Sequence, residues 1–600
     1  MQAIILAAGM GKRLKELTQD NTKCMVKVCG ETLIERMLRQ QEKLGLDRIV
    51  IVVGYQGQKL VDYIATLDIK TPLEFIDNPI YDKTNNIYSL SLATDKLLED
   101  DTLLFESDII FEDSVLEALV QDPRPTLALV DKYEGWMDGT CVKLNEDDEI
   151  IEFIPGKKFN YLDSEDCYKT VNIYKFSKEF SKNVYVPFLK AYQKALGVNE
   201  YYEQVLRVIA ILDKSGLNAK RLNGEKWYEI DDIQDLDIAT SIFSSDDEKL
   251  SLMMKRFGGY WRYPKILDFC YLVNPYFPPK KLKEEMMASF DVLLTEYPSG
   301  MHINSLLAAK AFSVHEENIV VGNGAAELIK VLMEGIEGNI GFIRPTFEEY
   351  PNRIEKERAV VYCPENNNFS YNEYDLIEYF SEKDISTLVV INPDNPTGSY
   401  IKKEGLFRLI SWSEEKGITL IIDESFVDFA EEEDSTLIIQ EILSSHKNLF
   451  VMKSISKSYG VPGLRLGVLA SGDVDAIKAI KKGVSIWNIN SFAEFYLQIE
   501  EKYHKDYLSS LEKIKKERNR FFSLLSNMEG LRTIPSEANY IMVEIINGKR
   551  ATEITKKLLS EYNILVKDLS MKIKGGEYLR LAVRNTEDNN RLLIALKEVL

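Results

Sequence analysis

The chain has 600 residues, of which 45% are hydrophobic and 28% are charged, and its formal net charge is −21. This length is about four times the roughly 150 residues of a typical domain, which argues against a single compact domain. The acidic balance excludes a global positive field for nucleic acid, and the spacing of the four histidines and six cysteines argues against histidine-rich metal sites, zinc ribbons and a disulfide scaffold.

Short β-branched runs alternate with longer amphipathic segments from Met1 to about Thr240. The predicted strands are Ala3–Leu6, Ile49–Gly54, Thr102–Glu106 and Thr126–Val130, and the predicted helices are Glu31–Leu44 and Asn86–Glu99. This alternation predicts α/β layers around a mostly parallel sheet. No run approaches 18 uninterrupted apolar residues and no export signal is recognised, so we expect a cytoplasmic protein without membrane contact.

A glycine-rich loop follows the first predicted strand directly. Its sequence is Leu6-Ala7-Ala8-Gly9-Met10-Gly11-Lys12-Arg13-Leu14. Small residues let the backbone approach a triphosphate, successive N–H groups bind an anion, and Lys12 and Arg13 add positive charge. By itself such a loop is also compatible with a simple structural turn.

Two apolar strands of the first half end in acidic residues. Their sequences are Leu103-Leu104-Phe105-Glu106-Ser107-Asp108 and Trp227-Tyr228-Glu229-Ile230-Asp231-Asp232. Carboxylates at the C-terminal ends of strands lie where open α/β sheets bind ligands, and hard oxygen ligands suit Mg²⁺ on a nucleotide. Asp108 and Asp231 are therefore candidate Mg²⁺ ligands, although a single acid of this kind is more often a surface residue.

In order and spacing these segments resemble the sugar-phosphate nucleotidyltransferase superfamily, in particular its phosphocholine cytidylyltransferase branch. The resemblance covers nearly all of residues 1–240. It includes Lys23, a tryptophan at Trp136 and the pattern Asn85-Asn86-Ile87-Tyr88-Ser89. One departure is Thr22, where many relatives have proline before the lysine.

The resemblance implies in-line attack on the α-phosphorus of CTP, with pyrophosphate as the leaving group. Lys23 and Arg13 would neutralise phosphate oxygens, Asp108 and Asp231 would bind Mg²⁺, and Trp136 would contact the acceptor. The nucleotide-binding residues that it implies are Leu6, Ala8, Gly9, Gly11, Lys12, Asn85, Asn86 and Ser89. The preference for cytosine rests on the branch alone.

The pattern changes after a polar segment, Phe243–Lys249, that lacks periodicity. We therefore predict two domains, residues 1–245 and 246–600. In the second half the predicted strands are Asn318–Val321, Thr387–Ile391, Leu420–Asp423, Leu449–Met452 and Leu466–Ala470. The two halves share no repeat, so the chain is not a duplication.

The second half contains a candidate site for pyridoxal 5'-phosphate. The run Lys453-Ser454-Ile455-Ser456-Lys457 follows a predicted strand, and Arg465 comes eight residues after Lys457. A Schiff-base lysine at position 457, with the hydroxyls of Ser454 and Ser456 and the charge of Arg465, would supply the covalent anchor and much of a phosphate cradle.

Three further segments strengthen this interpretation. Asn395, in the turn Asn392-Pro393-Asp394-Asn395-Pro396-Thr397-Gly398, is placed to donate to the cofactor's phenolic oxygen. Asp423 ends a strand and is placed to pair with the pyridine nitrogen, which keeps the ring an electron sink. In Gly322-Asn323-Gly324-Ala325-Ala326-Glu327, the amides of Ala325 and Ala326 open a helix (Leu328–Met333) and are predicted to bind the cofactor phosphate.

From about Phe257 to Leu600 these segments resemble fold-type I aminotransferases, particularly the histidinol-phosphate aminotransferase and threonine-phosphate decarboxylase group. Further matching segments are Leu267-Asp268-Phe269, Asn274-Pro275, Glu296-Tyr297-Pro298, Arg344-Pro345-Thr346-Phe347 and Tyr578-Leu579-Arg580-Leu581-Ala582-Val583-Arg584. The resemblance implies that Phe347 stacks on the cofactor ring and that Arg580 binds a substrate carboxylate. It implies that Tyr297 reaches the cofactor phosphate of a neighbouring protomer, and hence a homodimer formed through this domain.

The expected fold is therefore α/β throughout: a Rossmann-like nucleotidyltransferase domain followed by a fold-type I pyridoxal-phosphate transferase with a large and a small α/β domain. One position departs from the aminotransferase pattern: Phe426 stands where many aminotransferases have a tyrosine that contacts the phenolic oxygen. Phenylalanine there is similar to the decarboxylase-type relatives, so transamination and decarboxylation both stay open.

The fusion resembles bifunctional phosphonate cytidylyltransferase–aminotransferase proteins. That resemblance implies interconversion of phosphonoacetaldehyde and 2-aminoethylphosphonate with an amino acid as amino donor, followed by CTP-dependent transfer of CMP to the aminophosphonate. The alternatives are phosphocholine or phosphoethanolamine activation beside a decarboxylase of phosphorylated or phosphonylated amino acids, or a C-terminal half that only dimerises. If the acceptor is phosphocholine, its quaternary ammonium group could be bound by a cation–π cage of Trp136, Tyr133 and Tyr174. These three residues are equally compatible with a role as core aromatics.

Overall fold

The computed structural model describes residues 1–212, 215–263 and 265–600. These residues form two compact units, Met1–Arg262 and Tyr263–Leu600. The segment Phe243–Lys249 is not the irregular connection that its polar sequence suggested, because one helix ends at Phe243 and the next, Asp246–Lys255, begins three residues later. Three acidic residues in the first turn of that second helix favour it through the helix dipole.

The first unit is built from a central sheet with helices on both faces. Its strands are β1 (Gln2–Ala7), β2 (Lys27–Val28), β3 (Glu31–Thr32), β4 (Ile49–Val53), β5 (Leu73–Asp77), β6 (Thr102–Glu106), β7 (Ile109–Phe111), β8 (Leu127–Lys132), β9 (Cys141–Leu144), β10 (Ile150–Ile154), β11 (Tyr168–Phe176), β12 (Asn218–Arg221) and β13 (Trp227–Glu229). Its α-helices are α1 (Leu33–Glu42), α2 (Gly57–Ile64), α3 (Asn86–Leu92), α4 (Thr94–Leu97), α5 (Asp113–Val120), α6 (Lys178–Phe180), α7 (Val186–Leu196), α8 (Glu203–Ile209), α9 (Ile233–Phe243) and α10 (Asp246–Lys255). The predicted helix over 86–99 is therefore divided at Ala93.

The main sheet of this unit has the order β10-β9-β11-β6-β1-β4-β5, with β8 beside β11 and β12 beside β8. Strands β6, β1, β4 and β5 are parallel, whereas β11 pairs antiparallel with β6, so the sheet is mixed rather than mostly parallel. Ile5 and Ile4 of β1 enter two different apolar layers, one on each face. Because parallel strands end at one edge, the loop after β1 and the acids after β6 lie on the same side.

The second unit contains a large and a small sheet. Its strands are β14 (Leu267–Asp268), β15 (Ile319–Asn323), β16 (Ile340–Ile343), β17 (Ala359–Tyr362), β18 (Thr387–Ile391), β19 (Thr419–Asp423), β20 (Leu449–Ser454), β21 (Leu466–Ser471), β22 (Leu531–Ile534), β23 (Tyr540–Ile545), β24 (Ile564–Leu565), β25 (Lys567–Asp568) and β26 (Tyr578–Ala582). Its α-helices are α11 (Lys280–Ala288), α12 (Phe290–Thr295), α13 (Met301–Phe312), α14 (Ala325–Glu334), α15 (Glu373–Ser381), α16 (Lys403–Lys416), α17 (Gln440–Ser445), α18 (Ile455–Ser458), α19 (Val474–Gly483), α20 (Ser491–Ile499), α21 (His504–Ser526), α22 (Ala551–Tyr562) and α23 (Thr586–Val599).

The large sheet has the order β15-β21-β20-β19-β18-β16-β17, and the small antiparallel sheet has the order β22-β23-β26-β25. In the large sheet only β21 runs against its neighbours, β15 and β20. The C-terminal ends of β15, β18, β19 and β20 therefore meet at one edge, where open α/β sheets bind ligands. The α/β prediction is confirmed for both halves. No helix in the described part of the chain is long and apolar enough to cross a membrane.

Candidate functional sites

The loop after β1 packs closely against Lys23. Gly11 has a φ of +59°, and a Cβ at this position would lie 3.0 Å from Cβ of Lys23. The loop therefore needs glycine here both for its left-handed backbone and for the close approach. Leu6 and Ala8 are buried, whereas Lys12 is exposed.

Lys23 joins two of the predicted metal ligands. Its Nζ lies 2.5 Å from Oδ2 of Asp108 and 2.7 Å from Oδ1 of Asp231, and an Nη2 of Arg13 lies 2.7 Å from the same Asp231 oxygen. Burial alone would lower the pKa of Lys23, but the two carboxylates outweigh it and raise that pKa. Burial raises the pKa of Asp231, and the charges of Lys23 and Arg13 more than offset this, so its pKa is lowered.

Glu229 is a third carboxylate at this place, and its role was missed from the sequence. Carboxylate oxygens of Asp108, Glu229 and Asp231 lie within 4.8 Å of one another. Glu229 also accepts a hydrogen bond of 3.2 Å from Nδ2 of Asn172 and lies 3.3 Å from Nζ of the buried Lys169. The available signal was its position at the end of β13, two residues before Asp231.

These three carboxylates fit a divalent cation such as Mg²⁺. They offer hard oxygen donors from two strand ends, which is the ligand type that Mg²⁺ prefers. Oδ1 of Asp108 is buried and has no hydrogen-bond partner among the described residues. A buried carboxylate oxygen without a partner is costly, and a bound cation would remove that cost.

A cleft connects the loop after β1 with this acidic cluster. Its lining includes Lys23 and Asp108, and from the predicted nucleotide-binding residues it includes Leu6, Ala8, Gly9, Asn85, Asn86 and Ser89. Asn86 donates from Nδ2 to Oε1 of Glu106 at 3.1 Å and accepts from the amide of Tyr202 at 2.9 Å. Gly11, Lys12 and Arg13 do not line this cleft, although Arg13 reaches the acidic cluster through Asp231.

Two further glutamates that the sequence did not single out have raised pKa values: Glu203 is buried, and the half-buried Glu106 lines the cleft. Burial raises the pKa of Glu203 to about 7, and burial together with the charge of Glu203 raises the pKa of Glu106 well above its usual value. The buried ammonium of Lys169 partly counteracts the shift at Glu203. Burial and mutual repulsion therefore favour the protonated form of both carboxyl groups.

The three aromatic residues considered as a choline cage do not come together. Tyr174 is fully buried in the apolar layer on one face of the sheet, where its ring meets Tyr202 at 5.7 Å. Tyr133 and Trp136 pack against the layer on the other face. Trp136 stacks on Tyr228 with ring centroids 4.2 Å apart. Tyr174 is therefore a core aromatic, and a cage that requires all three residues is excluded.

In the second unit, Asp423 is held in a fixed orientation at the end of β19. The hydroxyl of Tyr350 donates to its Oδ2 at 2.9 Å, and the amide of Ser425 donates to its Oδ1 at 2.9 Å. Burial raises the pKa of this carboxyl, while the bonds from Ser425 and Tyr350 and the charge of Lys457 work in the opposite direction. The contribution of Tyr350 was missed from the sequence, which had no local signal for it.

Lys457 lies in the short helix α18 that follows β20. Burial lowers the pKa of its amine to about 8, with further lowering from the charges of Arg580 and Arg465 and a smaller opposing effect of Asp423. A lysine with a pKa of about 8 is partly neutral at physiological pH and can act as a nucleophile. The predicted anchor, Lys457, and the predicted ring partner, Asp423, thus influence each other electrostatically.

The predicted phosphate cradle forms where helix α14 begins. Gly324 caps that helix with a φ of +71°, and a Cβ there would lie 2.6 Å from Nη2 of Arg465. The amide of Gly324 also donates to the carbonyl of Arg465 at 2.7 Å. A Cβ at Gly467 would lie 2.4 Å from the amide nitrogen of Ala325, so this glycine lets β21 approach the helix start.

The remaining cradle residues lie nearby. Ser454 and Ser456 are buried. The amide of Ser454 donates to Oγ of Ser425 at 3.1 Å, which connects the end of β20 with the residue that orients Asp423. The amides of Ala325 and Ala326, the arginine and the two hydroxyls form a donor set suited to a phosphate, and this is the observation on which the fit of pyridoxal phosphate rests.

Asn395 and Arg580 are directly bonded to each other. Nη1 of Arg580 donates to Oδ1 of Asn395 at 2.6 Å, and Nη2 donates to the carbonyl of Cys270 at 2.7 Å. Since Oδ1 of Asn395 is occupied, its Nδ2 is the group that can donate to a cofactor oxygen. Nε of Arg580 is buried without a partner in the described structure, so this guanidinium retains donor capacity for an anionic ligand.

The aromatic residues taken from the resemblance are exposed in the single chain. Phe347 is 39% exposed and Tyr297 is 79% exposed, with the Tyr297 ring 4.6 Å from that of Trp487. Phe426, in contrast, is buried, and its ring meets Tyr540 edge-on at 5.1 Å. The hydroxyl of Tyr540 donates to the carbonyl of Asp394 at 2.5 Å.

Comparison with known proteins gives a match for each unit. Residues 264–596 match the aminotransferase class I and II family, and residues 3–141 match the MobA-like NTP transferase domain. The full chain is 30% identical to a CMP-5'-(3-aminopropyl)phosphonate synthase of Streptomyces rubellomurinus, over 100% of this chain and 95% of that protein.

Two further matches concern the second unit alone. It is 32% identical to an L-serine phosphate decarboxylase of Sulfurospirillum multivorans, over 56% of this chain and 88% of that protein. A solved structure of a decarboxylase from Sulfurospirillum multivorans is 30% identical, with a TM-score of 0.52, and the match covers 60% of this chain and 99% of that one.

Proposed function

The chain belongs to the class I and II aminotransferase family through its C-terminal unit and carries a MobA-like NTP transferase domain in its N-terminal unit, and on this premise we propose that it makes and then activates a small aminoalkylphosphonate. In this proposal the first unit transfers CMP from CTP to 2-aminoethylphosphonate and releases pyrophosphate. The second unit forms that amine in a reaction that depends on pyridoxal phosphate. The relative that matches over the full chain is named a CMP-5'-(3-aminopropyl)phosphonate synthase, and this name supports the pairing of the two reactions in one chain.

The observation that carries the first reaction is the contact of Lys23 with Asp108 and Asp231 beside the cleft. Transfer to an α-phosphorus requires positioning and charge neutralisation rather than a covalent nucleophile. Asp108, Glu229 and Asp231 would hold Mg²⁺, which would supply charge neutralisation at the phosphates. Lys23 and Arg13, now occupied by carboxylates, would then be available to the phosphate oxygens.

For the second unit we propose decarboxylation of an amino acid that bears a phosphonate, such as 2-amino-3-phosphonopropanoate, which loses carbon dioxide to give 2-aminoethylphosphonate. Bound pyridoxal phosphate supplies an electron sink next to Cα. Asp423 would hold the pyridine nitrogen protonated, Asn395 would donate to the phenolic oxygen, and the Lys457 amine would return a proton to Cα. The decarboxylase relatives and Phe426 favour this reaction over the transamination that the sequence analysis put first.

Transamination of phosphonoacetaldehyde is the second candidate, and the family match favours it. It would use the same Asp423, Asn395 and Lys457 and would require an amino acid as amino donor. The two reactions differ in a single product, because decarboxylation releases carbon dioxide and forms no keto acid. The holoenzyme should therefore be supplied either with 2-amino-3-phosphonopropanoate or with phosphonoacetaldehyde plus an amino acid. Carbon dioxide and keto acid should be measured in each case.

A homodimer formed through the second unit is part of the proposal. The exposed rings of Tyr297 and Trp487 contact each other at a tilt of 34°, and large apolar side chains close to them in the sequence are exposed as well, namely Met287, Phe290, Val292, Leu294 and Ile486. An apolar surface of this kind is unfavourable in water and is typical of a protein interface. Light scattering should give twice the chain mass for the wild type and the single mass for Trp487→Asp.

The acceptor is tested by pyrophosphate release. The full chain should release pyrophosphate from CTP with 2-aminoethylphosphonate or 3-aminopropylphosphonate faster than with phosphocholine, and faster with CTP than with UTP. Efficient turnover of phosphocholine without turnover of either phosphonate would contradict the proposed acceptor. Phosphoethanolamine has the same chain length as 3-aminopropylphosphonate but carries a phosphate ester. Slower pyrophosphate release with phosphoethanolamine would therefore show a preference for the phosphonate.

A further inference from the structure

The loop between β25 and β26 brings an additional lysine toward the pyridoxal-phosphate site. Lys572 lies in this loop, and its ammonium donates to the carbonyl of Thr346, the residue before Phe347. Its nearest carboxylate is Glu348 at 3.9 Å, which is at the limit of an ion pair. Lys572 is thus held at the site by a neutral carbonyl and is only weakly compensated by a negative charge.

Lys572 belongs to a group of cations on one side of the small sheet. Lys567 of β25 stands directly opposite Arg580 of β26 in the antiparallel ladder, so both side chains lie on the same face. Burial lowers the pKa of Lys572 to about 8, and the positive charges of Arg580 and Lys567 add to the lowering, while Glu348 and Asp394 oppose it. The positive charges of Arg580 and Lys567 thus disfavour the charged form of Lys572, and an anion bound by these cations would offset that repulsion.

A substrate that carries both a carboxylate and a phosphonate needs two separate cationic contacts. Arg580 has a planar fork that suits a carboxylate, and two of its nitrogens are already fixed by Asn395 and Cys270. A phosphonate is a compact tetrahedral dianion, for which the point charge of a lysine ammonium is a suitable partner.

We propose that Lys572 is a specificity-determining residue that binds the phosphonate or phosphate group of the substrate, while Arg580 binds its carboxylate. The inference rests on the proposed function of the second unit, since it names the residue that selects phosphorus-bearing substrates at that site. It also explains why this lysine is held next to Phe347, which the resemblance places against the cofactor ring.

The test compares two ligands that differ only in their anionic group. 2-Aminoethylphosphonate and β-alanine have the same amine and carbon chain, and binding of each to the holoenzyme can be followed by the change in the visible absorption of the bound cofactor. Lys572→Gln should weaken binding of 2-aminoethylphosphonate at least tenfold and binding of β-alanine less than threefold. Lys574→Gln, which removes an exposed lysine from the same loop, should change neither.

Two results would overturn the proposal: unchanged binding of 2-aminoethylphosphonate in Lys572→Gln, or equal loss for both ligands, which would indicate a structural role. Because binding is measured without turnover, this outcome is independent of the reaction. If the wild type binds 2-aminoethylphosphonate through Lys572 but neither decarboxylates nor transaminates the phosphonate substrates, the proposed function fails and the assignment of Lys572 stands.

Discussion

The hydroxyl of Tyr350 donates a hydrogen bond of 2.9 Å to Oδ2 of Asp423, and both side chains are buried. This bond fixes the carboxyl that is proposed to pair with the pyridine nitrogen. It also helps to keep the carboxyl ionised, because burial raises the pKa of Asp423 and the Tyr350 bond opposes that rise. Tyr350 is therefore a positioning residue that would act through Asp423.

Tyr350→Phe should lower kcat of the pyridoxal-phosphate reaction roughly tenfold, since a hydrogen bond to a charged group contributes about 1.5–3 kcal/mol. KM should change less than kcat, and pyrophosphate release by the first unit should be unaffected. Both reactions are measured on the same preparation. Tyr496→Phe is the matched control, because it removes a hydroxyl that is equally buried and makes no hydrogen bond within the described structure. Equal losses in the two variants would contradict the positioning role.

Asp108→Asn should reduce cytidylyl transfer by on the order of 100-fold, the magnitude found when one electrostatic contact at a reacting centre is removed. The variant should require more Mg²⁺ for half-maximal pyrophosphate release, because it loses one of three clustered carboxylates. A chelator should abolish the wild-type reaction and Mg²⁺ should restore it. Asp113→Asn, whose carboxylate bonds Lys43 and Gln40 instead, serves as the control. An unchanged Mg²⁺ requirement in Asp108→Asn would remove Asp108 from the metal site.

The parts of the sites that the sequence could predict are those that depend on local order along the chain. Asp108 and Lys457 follow buried strands and Asp423 ends one, and within each unit the parallel strands bring their ends to one edge. Residues at the C-terminal ends of parallel strands in one sheet can therefore be predicted to lie at the same edge from the sequence alone.

The parts that could not be predicted depend on contacts between distant segments. Glu229 and Lys169 meet although sixty residues separate them, and the sequence around Lys169 contains no signal for a buried lysine. Tyr174 was ambiguous because a strand residue points to one face or the other according to register, which the sequence alone does not fix. Lys572 contacts the carbonyl of Thr346, which lies 226 residues earlier in the chain, and no local pattern indicates that contact.

Lys23→Met should destabilise the metal-free first unit. Removal of one partner from a buried ion pair costs about 3–5 kcal/mol, because Asp108 would lose its cationic partner and Asp231 would keep only Arg13. Mg²⁺ would then take over the compensation, so the variant should bind Mg²⁺ more tightly than the wild type in the absence of CTP. Its thermal midpoint in chelator should fall, and added Mg²⁺ should raise that midpoint by more than in the wild type.

The control for Lys23→Met is Lys27→Met, which removes an exposed lysine from the same region. Thermal unfolding should be recorded for both variants with chelator and with Mg²⁺. An equal Mg²⁺-dependent shift in the wild type and in Lys23→Met would show that the ammonium and the metal do not share the same carboxylates.

Formation of the holoenzyme should follow a titration with a midpoint near pH 8. Lys457 must be neutral to attack the aldehyde of the cofactor, and burial together with Arg580 and Arg465 lowers its pKa to about 8. The same shift makes the apoprotein more stable as the pH rises from about 8 to the ordinary lysine value near 10.4, because the unfolded chain binds the extra proton in that window. Below pH 8 Lys457 is protonated in both the folded and the unfolded chain, and the cost of burying its ammonium destabilises the folded apoprotein to the full extent.

The charge of Arg580 provides the test of this pH dependence. Arg580→Gln removes one of the two arginines that lower the pKa of Lys457, so the midpoint for cofactor incorporation should move to higher pH than in the wild type. Arg532 belongs to the same unit but pairs with Glu544, so Arg532→Gln should leave the midpoint for cofactor incorporation unchanged. The rate is read from the growth of visible absorption after apoprotein and pyridoxal phosphate are mixed between about pH 6 and pH 10, a range chosen to bracket the lysine titration. Because free pyridoxal phosphate titrates identically in every mixture, an equal midpoint in Arg580→Gln and the wild type would mean that Arg580 does not set the basicity of Lys457.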